Sequence, residues 1–242
     1  MEMIEQLPLP VQLADSATFD NFFQDRASEV IACLKQQVAA PTGWGITYLW
    51  GGRGSGKSHL LQAVCHLCTE EDHPASYIPL SIATLNPSIL ENLGDDRVVC
   101  IDDLDSVAGD PLWEEGLMGL LERARYGGGV VISAARAAPA GIGFKLPDLI
   151  SRFGSQSVYQ LHDMDDEARM AAFRQRAGRR GLDLSGEVVR YVLNRYQRDT
   201  HALFGLLERL DHASLVAKRR LTIPFLKQLE ENPPAASSHP KG

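Results

Sequence analysis

Gly51-Gly52-Arg53-Gly54-Ser55-Gly56-Lys57-Ser58 fits the pattern G-x-x-x-x-G-K-[ST] with no position forced. An apolar, strand-like run precedes it, Ile46-Thr47-Tyr48-Leu49-Trp50, and a helix-period run follows, His59-Leu60-Leu61-Gln62-Ala63-Val64. Strand, glycine-rich loop and helix in that order make a phosphate-binding loop, and they point to an α/β domain whose first strand feeds the loop. The glycines let the backbone curl until several N–H groups converge on a β-phosphate, and the helix adds the positive end of its dipole. Lys57 offers a point charge to the β- and γ-phosphates, and Ser58 a hydroxyl to Mg²⁺. An ordinary glycine-rich turn is the competing reading, and the flanking elements count against it.

The chain of 242 residues has room for one α/β domain and a smaller appendage. Its 44% hydrophobic and 23% charged residues are ordinary for a globular protein with a sizeable core. No apolar run approaches the ~20 residues that span a bilayer, and the acidic, proline-bearing start does not read as a signal peptide. A cytoplasmic location with no membrane partner is expected. The net charge of −7 argues against a molecule built to coat nucleic acid. The basic stretches Arg174 to Arg180 and Lys218-Arg219-Arg220 read better as solvated helix faces than as DNA-binding patches. Cys65 and Cys68 form a lone C-x-x-C inside the helix after the loop, where core packing is the better reading than metal or redox use.

Residues 1–17 read as an extended tail. Gln6-Leu7-Pro8-Leu9-Pro10 has prolines at alternate positions; composition favours a disordered leader, and a peptide ligand for another protein's groove is the alternative. Phe19-Asp20-Asn21-Phe22-Phe23 leads into a helix through about Val38, and strands follow at Ala75 to Leu80 and Arg97 to Ile101. The second of these is a continuous apolar run, as in a strand buried on both faces of a parallel sheet. It ends in Asp102-Asp103, about 45 residues after the loop lysine. Asp102 is expected to hold Mg²⁺ or its waters, and Asp103 to orient an attacking water. Asp103 is one methylene shorter than glutamate, so rapid turnover is not expected. Leu112 to Tyr126 reads as a helix, Val130 to Ser133 as a strand, Leu146 to Phe153 as a short helix and Gln156 to Leu161 as the last strand. Ser133 reads equally as a polar sensor of the γ-phosphate or as a turn cap. The alternation specifies a parallel sheet with helices on both faces over residues 18–163. Residues 164–231 read as a small all-α lid of four helix-period segments, with Leu203, Leu206, Leu207 and Leu210 as the buried stripe of the third. Residues 232–242 read as a disordered tail.

A phosphate-loop α/β domain followed by a helical lid resembles the AAA+ ATPases. The likeness narrows at Phe19-Asp20-Asn21-Phe22, Gly56-Lys57-Ser58-His59-Leu60-Leu61, Ile101-Asp102-Asp103 and Ser151-Arg152-Phe153-Gly154, which look like the clade of the bacterial replication initiator DnaA. The initiator's N-terminal loading domain and its helix-turn-helix DNA-binding domain are not expected in these residues. The shorter form is similar to the Hda family of regulatory inactivators of DnaA, also at Gly109-Asp110-Pro111-Leu112-Trp113-Glu114 and Leu221-Thr222-Ile223-Pro224-Phe225.

The resemblance implies an adenine nucleotide, ADP or ATP, with the diphosphate as resident form, held by Gly51 to Ser58 together with His59 and Phe22, with Mg²⁺ on Ser58 and Asp102. It implies that Gln6, Leu7 and Leu9 dock on the DNA polymerase sliding clamp, which reverses the compositional reading of the tail. Arg152 corresponds to an arginine finger acting in trans on ATP held by DnaA. Such fingers are worth roughly 10³ to 10⁵ in rate in GTPases, and the competing reading of Arg152 is an intradomain salt bridge. The partners implied are DnaA and the clamp (with DNA reached mainly through the clamp), and self-association is allowed. Two departures weaken hydrolysis by the chain itself: His201 stands where the initiator's lid brings an arginine, and Ala134-Ala135 where it has an acid. The reading is a nucleotide-binding regulator, not a vigorous enzyme in its own right, that stimulates hydrolysis of DnaA-bound ATP and prevents re-initiation. The alternative is a self-sufficient AAA+ ATPase or loader of the DnaA/DnaC type.

Overall fold

The computed structural model describes residues 17–22, 27–39, 43–93, 97–163, 165–179, 181–182, 184–195, 206, 210, 222–224 and 226–227. The chain divides into two compact units, Met1–Asp163 and Met164–Gly242. In the first, the described elements run α1 (Ser28–Ala39), β1 (Gly45–Gly51), α2 (Lys57–Glu70), β2 (Ala75–Pro79), β3 (Val98–Asp102), α3 (Pro111–Gly127), β4 (Val130–Ala135), α4 (Pro147–Phe153) and β5 (Ser157–Leu161). The strands pair in parallel in the order β2-β3-β4-β1-β5. This is the α/β sheet with crossover helices that the alternating pattern specifies.

Period-2 side-chain direction explains why both faces are covered. In β3, Val98 and Cys100 join a core with Val30, Leu34 and Leu60 from α1 and α2. Val99 and Ile101 point the other way, into a core with Leu117, Leu121, Leu149 and Phe153 from α3 and α4. A strand apolar at every position therefore has to lie between two helical layers. Each fully buried leucine contributes about 1.5–3 kcal/mol by leaving water.

Local chemistry sets the helix ends. The Asp110 carboxylate accepts from Leu112 N at 2.9 Å and Trp113 N at 3.3 Å, and Pro111 supplies a preset first-turn φ, so α3 starts there. Gly128, at φ 73°, ends it with its N–H on Ala124 O. In the second unit, α5 (Asp166–Arg179) and α6 (Gly186–Arg195) pack Phe173, Ala177, Val189 and Val192 around Leu206, Leu210 and Leu226. Most of the third and fourth lid segments, His201 with them, lie outside the described residues, as do Gln6, Leu7 and Leu9. Among the described residues no helix is long and apolar enough to cross a membrane.

Candidate functional site

β1 ends at Gly51 and α2 begins at Lys57, so residues 52–56 form a loop at the carboxyl edge of the sheet. Close approach dictates glycine at two positions. A Cβ on Gly51 would stand 2.1 Å from the Leu161 carbonyl oxygen on β5. Gly56 has φ +93°, and a Cβ there would stand 2.5 Å from Phe22 Cε2. The Lys57 side chain folds into the loop and donates to Gly51 O at 2.9 Å, Gly52 O at 2.7 Å and Ser55 Oγ at 3.2 Å. Burial pulls the Lys57 pKa below its ordinary value, against the upward pull of Asp102, Asp105, Asp103 and Asp163. A desolvated ammonium held by carbonyl oxygens is poised to exchange them for phosphate oxygens.

Asp102 closes β3 and is buried. Its Oδ2 accepts from the Tyr77 hydroxyl at 2.8 Å, its Oδ1 from Asp103 N at 2.9 Å, and the Ser58 hydroxyl also bonds to it. Burial lifts the Asp102 carboxyl above its ordinary value and the Asp103 charge adds to this, while the Ser58, Tyr77 and Asp103 hydrogen bonds pull it back. One buried carboxylate beside one hydroxyl is a donor set suited to Mg²⁺, which takes one or two protein oxygens and completes its shell with phosphate and water. Among the described residues no group of three or more His, Cys, Asp or Glu is arranged to hold a metal. Asp103 takes the left-handed conformation at φ 55°, and its Oδ2 accepts from Ser81 Oγ at 2.6 Å on the exposed rim.

Phe22 lies over Gly56 and faces His59, with ring centroids 5.5 Å apart. His59 Nε2 lies 2.8 Å from Thr18 O, so the segment before α1 is pinned to the first turn of α2. Arg53 is exposed at the crown of the loop. Two residues in this neighbourhood were not singled out from the sequence. Tyr77 comes from β2, and its only signal was an aromatic in a strand next to the acidic one. Asp163 lies against the loop, so that a Cβ on Gly52 would be 2.5 Å from its Oδ1. The Gly51–Leu161 pairing of β1 with β5 brings it there, and no sequence spacing announces that.

Ser133 departs from expectation, Cys65 and Cys68 follow it, and Arg152 makes the bridge that competes with its finger role. Ser133 is neither at a strand end nor in a turn: it is the fourth residue of β4, fully buried, and its Oγ donates to Thr47 O on β1 at 3.3 Å. Cys65 and Cys68 are buried in the layer under α2 with Cys100, and burial pushes the Cys68 thiol up to about 12, so they pack as small apolar groups. Arg152, in the last turn of α4, forms an ion pair through Nη2 with Glu122 Oε1 on α3. The intradomain bridge weighed against the finger reading is thus present in the single chain.

A family model described as the Hda lid domain matches residues 166–229. An uncharacterized protein of Haemophilus influenzae is 38% identical over 229 residues, covering 94% of this chain and 99% of that protein. Domain III of the Thermotoga maritima replication initiation protein DnaA superposes with a TM-score of 0.74 at 20% identity, over 91% of this chain and 98% of that one. AMPPCP-bound DnaA from Aquifex aeolicus superposes with a TM-score of 0.68 at 16% identity, over 90% of this chain and 68% of that one.

Proposed function

The chain belongs to the Hda family of DnaA-related AAA+ proteins, and from that premise we propose that it is a replication regulator that stimulates hydrolysis of DnaA-bound ATP while docked on the sliding clamp. Its own site, Gly51 to Ser58 with Phe22 and His59, holds an adenine nucleotide, with ADP as the resident form. Ser58 and Asp102 hold Mg²⁺, which when bound neutralises phosphate charge. Gln6, Leu7 and Leu9 dock on the clamp, so that DNA is met through it. Asp103, short and tied to Ser81, sustains only slow turnover of the chain's own nucleotide.

The observation that carries this reading is where Arg152 sits. It lies in the last turn of α4, within the Ser151-Arg152-Phe153-Gly154 stretch that looks like the initiator clade, with its side chain partly exposed and paired with Glu122 on α3. A guanidinium that keeps exposed surface beside its ion pair can still meet an acceptor on a neighbour, and the bridge to Glu122 is what it must share or give up to do so. Its planar fork of donors, charged at every working pH, suits the charge that spreads over a transferring γ-phosphoryl group. The nucleotide within this chain serves as a structural tie, and the chemistry takes place on the partner.

The test is a reconstitution of ATP-loaded DnaA with clamp on DNA. Native chain is expected to accelerate loss of the bound ATP, Arg152→Ala to abolish that acceleration, and a Gln6→Ala, Leu7→Ala, Leu9→Ala variant to lose clamp capture in a pull-down. Brisk ATP turnover by the chain alone, abolished by Lys57→Ala, would instead make it a self-sufficient ATPase.

A further inference from the structure

Helix α3 carries two carboxylates eight residues apart, Glu114 and Glu122. Eight residues are a little over two turns, so both lie on one face, about 12 Å apart along the axis. Both reach α4, and they reach its opposite ends. Glu114 is fully buried: its Oε1 accepts from Gly109 N at 2.7 Å and Lys145 N at 3.0 Å, and its Oε2 from Leu146 N at 2.8 Å. Lys145 and Leu146 immediately precede α4, so one carboxylate takes up the backbone where that helix begins. Glu122 takes the Arg152 guanidinium in its last turn. Along the same helix Leu149 and Phe153 are buried, Phe153 against Tyr48 and Phe144.

A helix of seven residues has little stability of its own, so the pose of Arg152 depends on what holds α4. Packing fixes its buried side, Glu114 its start, and Glu122 the side chain itself. The pair is made through Nη2, and the Arg152 side chain as a whole remains 26% exposed. Nη2 carries two N–H groups, so a guanidinium bonded to Glu122 through one of them can still offer the other, together with Nη1, to a second acceptor while the rotamer is held.

We propose that Glu122 is the positioning residue of Arg152: it selects one guanidinium pose before the partner is met, so that the fork meets the phosphoryl oxygens of a nucleotide on a neighbouring subunit already oriented. This rests on Arg152 acting in trans. The physical basis is orientation: a long side chain that must find its pose at each encounter reaches the reacting geometry in a smaller fraction of complexes. Such a loss lowers the maximal rate and leaves affinity nearly untouched, whereas a merely loosened α4 surface would raise the concentration needed for half effect.

The experiment measures initial rates of ATP loss from ATP-loaded DnaA, with clamp on DNA, against the concentration of full-length chain. Five forms are compared: native, Glu122→Ala, Glu122→Gln, Arg152→Ala and the Glu122→Ala, Arg152→Ala double variant, each checked for native melting. Glu122→Ala is expected to lower the maximal rate about three- to tenfold with the half-saturating concentration changed less than about twofold. Glu122→Gln, which keeps an oxygen for Nη2, is expected to recover at least half of the loss, and Glu122→Ala added to Arg152→Ala to change nothing further. With Arg152→Ala inactive, a Glu122→Ala protein as fast as native or faster overturns the positioning role, and so does a loss confined to half-saturation. Native rates in Arg152→Ala overturn the trans-acting reading itself, and the positioning role falls with it.

Discussion

Asp102 illustrates how one side chain draws its properties from residues far off in sequence. A carboxylate lifted by desolvation and held by hydrogen bonds from two other side chains has one orientation in which to meet a cation. Tyr77 supplies one of those bonds, and Gln62 Nε2 in turn approaches the Tyr77 hydroxyl at 3.4 Å. Tyr77→Phe removes the bond and leaves the ring in place. Partners of this kind are worth about 10–100-fold in metal affinity. Nucleotide binding titrated with Mg²⁺ should therefore need about tenfold more of the cation in Tyr77→Phe, with melting close to native. An unchanged Mg²⁺ requirement would mean that Asp102 does not hold the ion.

At the scale of elements, α3 acts as the beam to which α4 is fastened, and the fastening has a pH signature. Burial pushes the Glu114 carboxyl up, but the N–H groups of Lys145, Leu146 and Gly109 outweigh it and hold the group below its ordinary value of 4.5. A carboxyl depressed in the folded state binds protons less readily there than when unfolded. Its contribution to stability is thus complete above about pH 4.5 and disappears as the pH falls through the folded value. Urea midpoints measured from about pH 6 to pH 3.5 should fall for the native chain over the lower part of that range. Glu114→Gln, which turns an amide N–H₂ toward N–H donors, should be less stable at neutral pH and flatter on acidification. Parallel slopes for the two proteins would count against the assignment.

At the scale of the whole molecule, two units with separate cores are joined in the chain at Asp163 and Met164, and the first holds the phosphate loop. A ligand that binds only the folded state stabilises it by mass action. At about a hundredfold excess over its Kd that is about 2.7 kcal/mol. With about 2–4 °C per kcal/mol for a chain of this size, Mg-ADP should raise the melting midpoint by about 5–10 °C. Lys57→Ala should abolish most of that rise, because the charge-assisted bonds of one ammonium are worth about 1.5–3 kcal/mol each. A native protein whose melting ignores Mg-ADP would remove the case for a resident nucleotide.

Local spacing determined a good deal about this protein. The loop between β1 and α2, the doubly buried run of β3, the acid at its end and the alternation that makes a parallel sheet all depend on neighbours within a few positions, where backbone sterics and side-chain period act directly. The Ser151-Arg152-Phe153-Gly154 stretch and its family likeness were legible in the same way. Tertiary structure alone decided which distant groups meet: Phe22 over Gly56, Tyr77 on Asp102, Asp163 beside Gly52, Glu114 at the start of α4, Glu122 on Arg152, and Ser133 within the sheet instead of at its edge. These pairings arise because parallel strands are joined by long crossovers, so residues tens of positions apart arrive side by side at one edge or one helix face. No period or motif encodes which of them will.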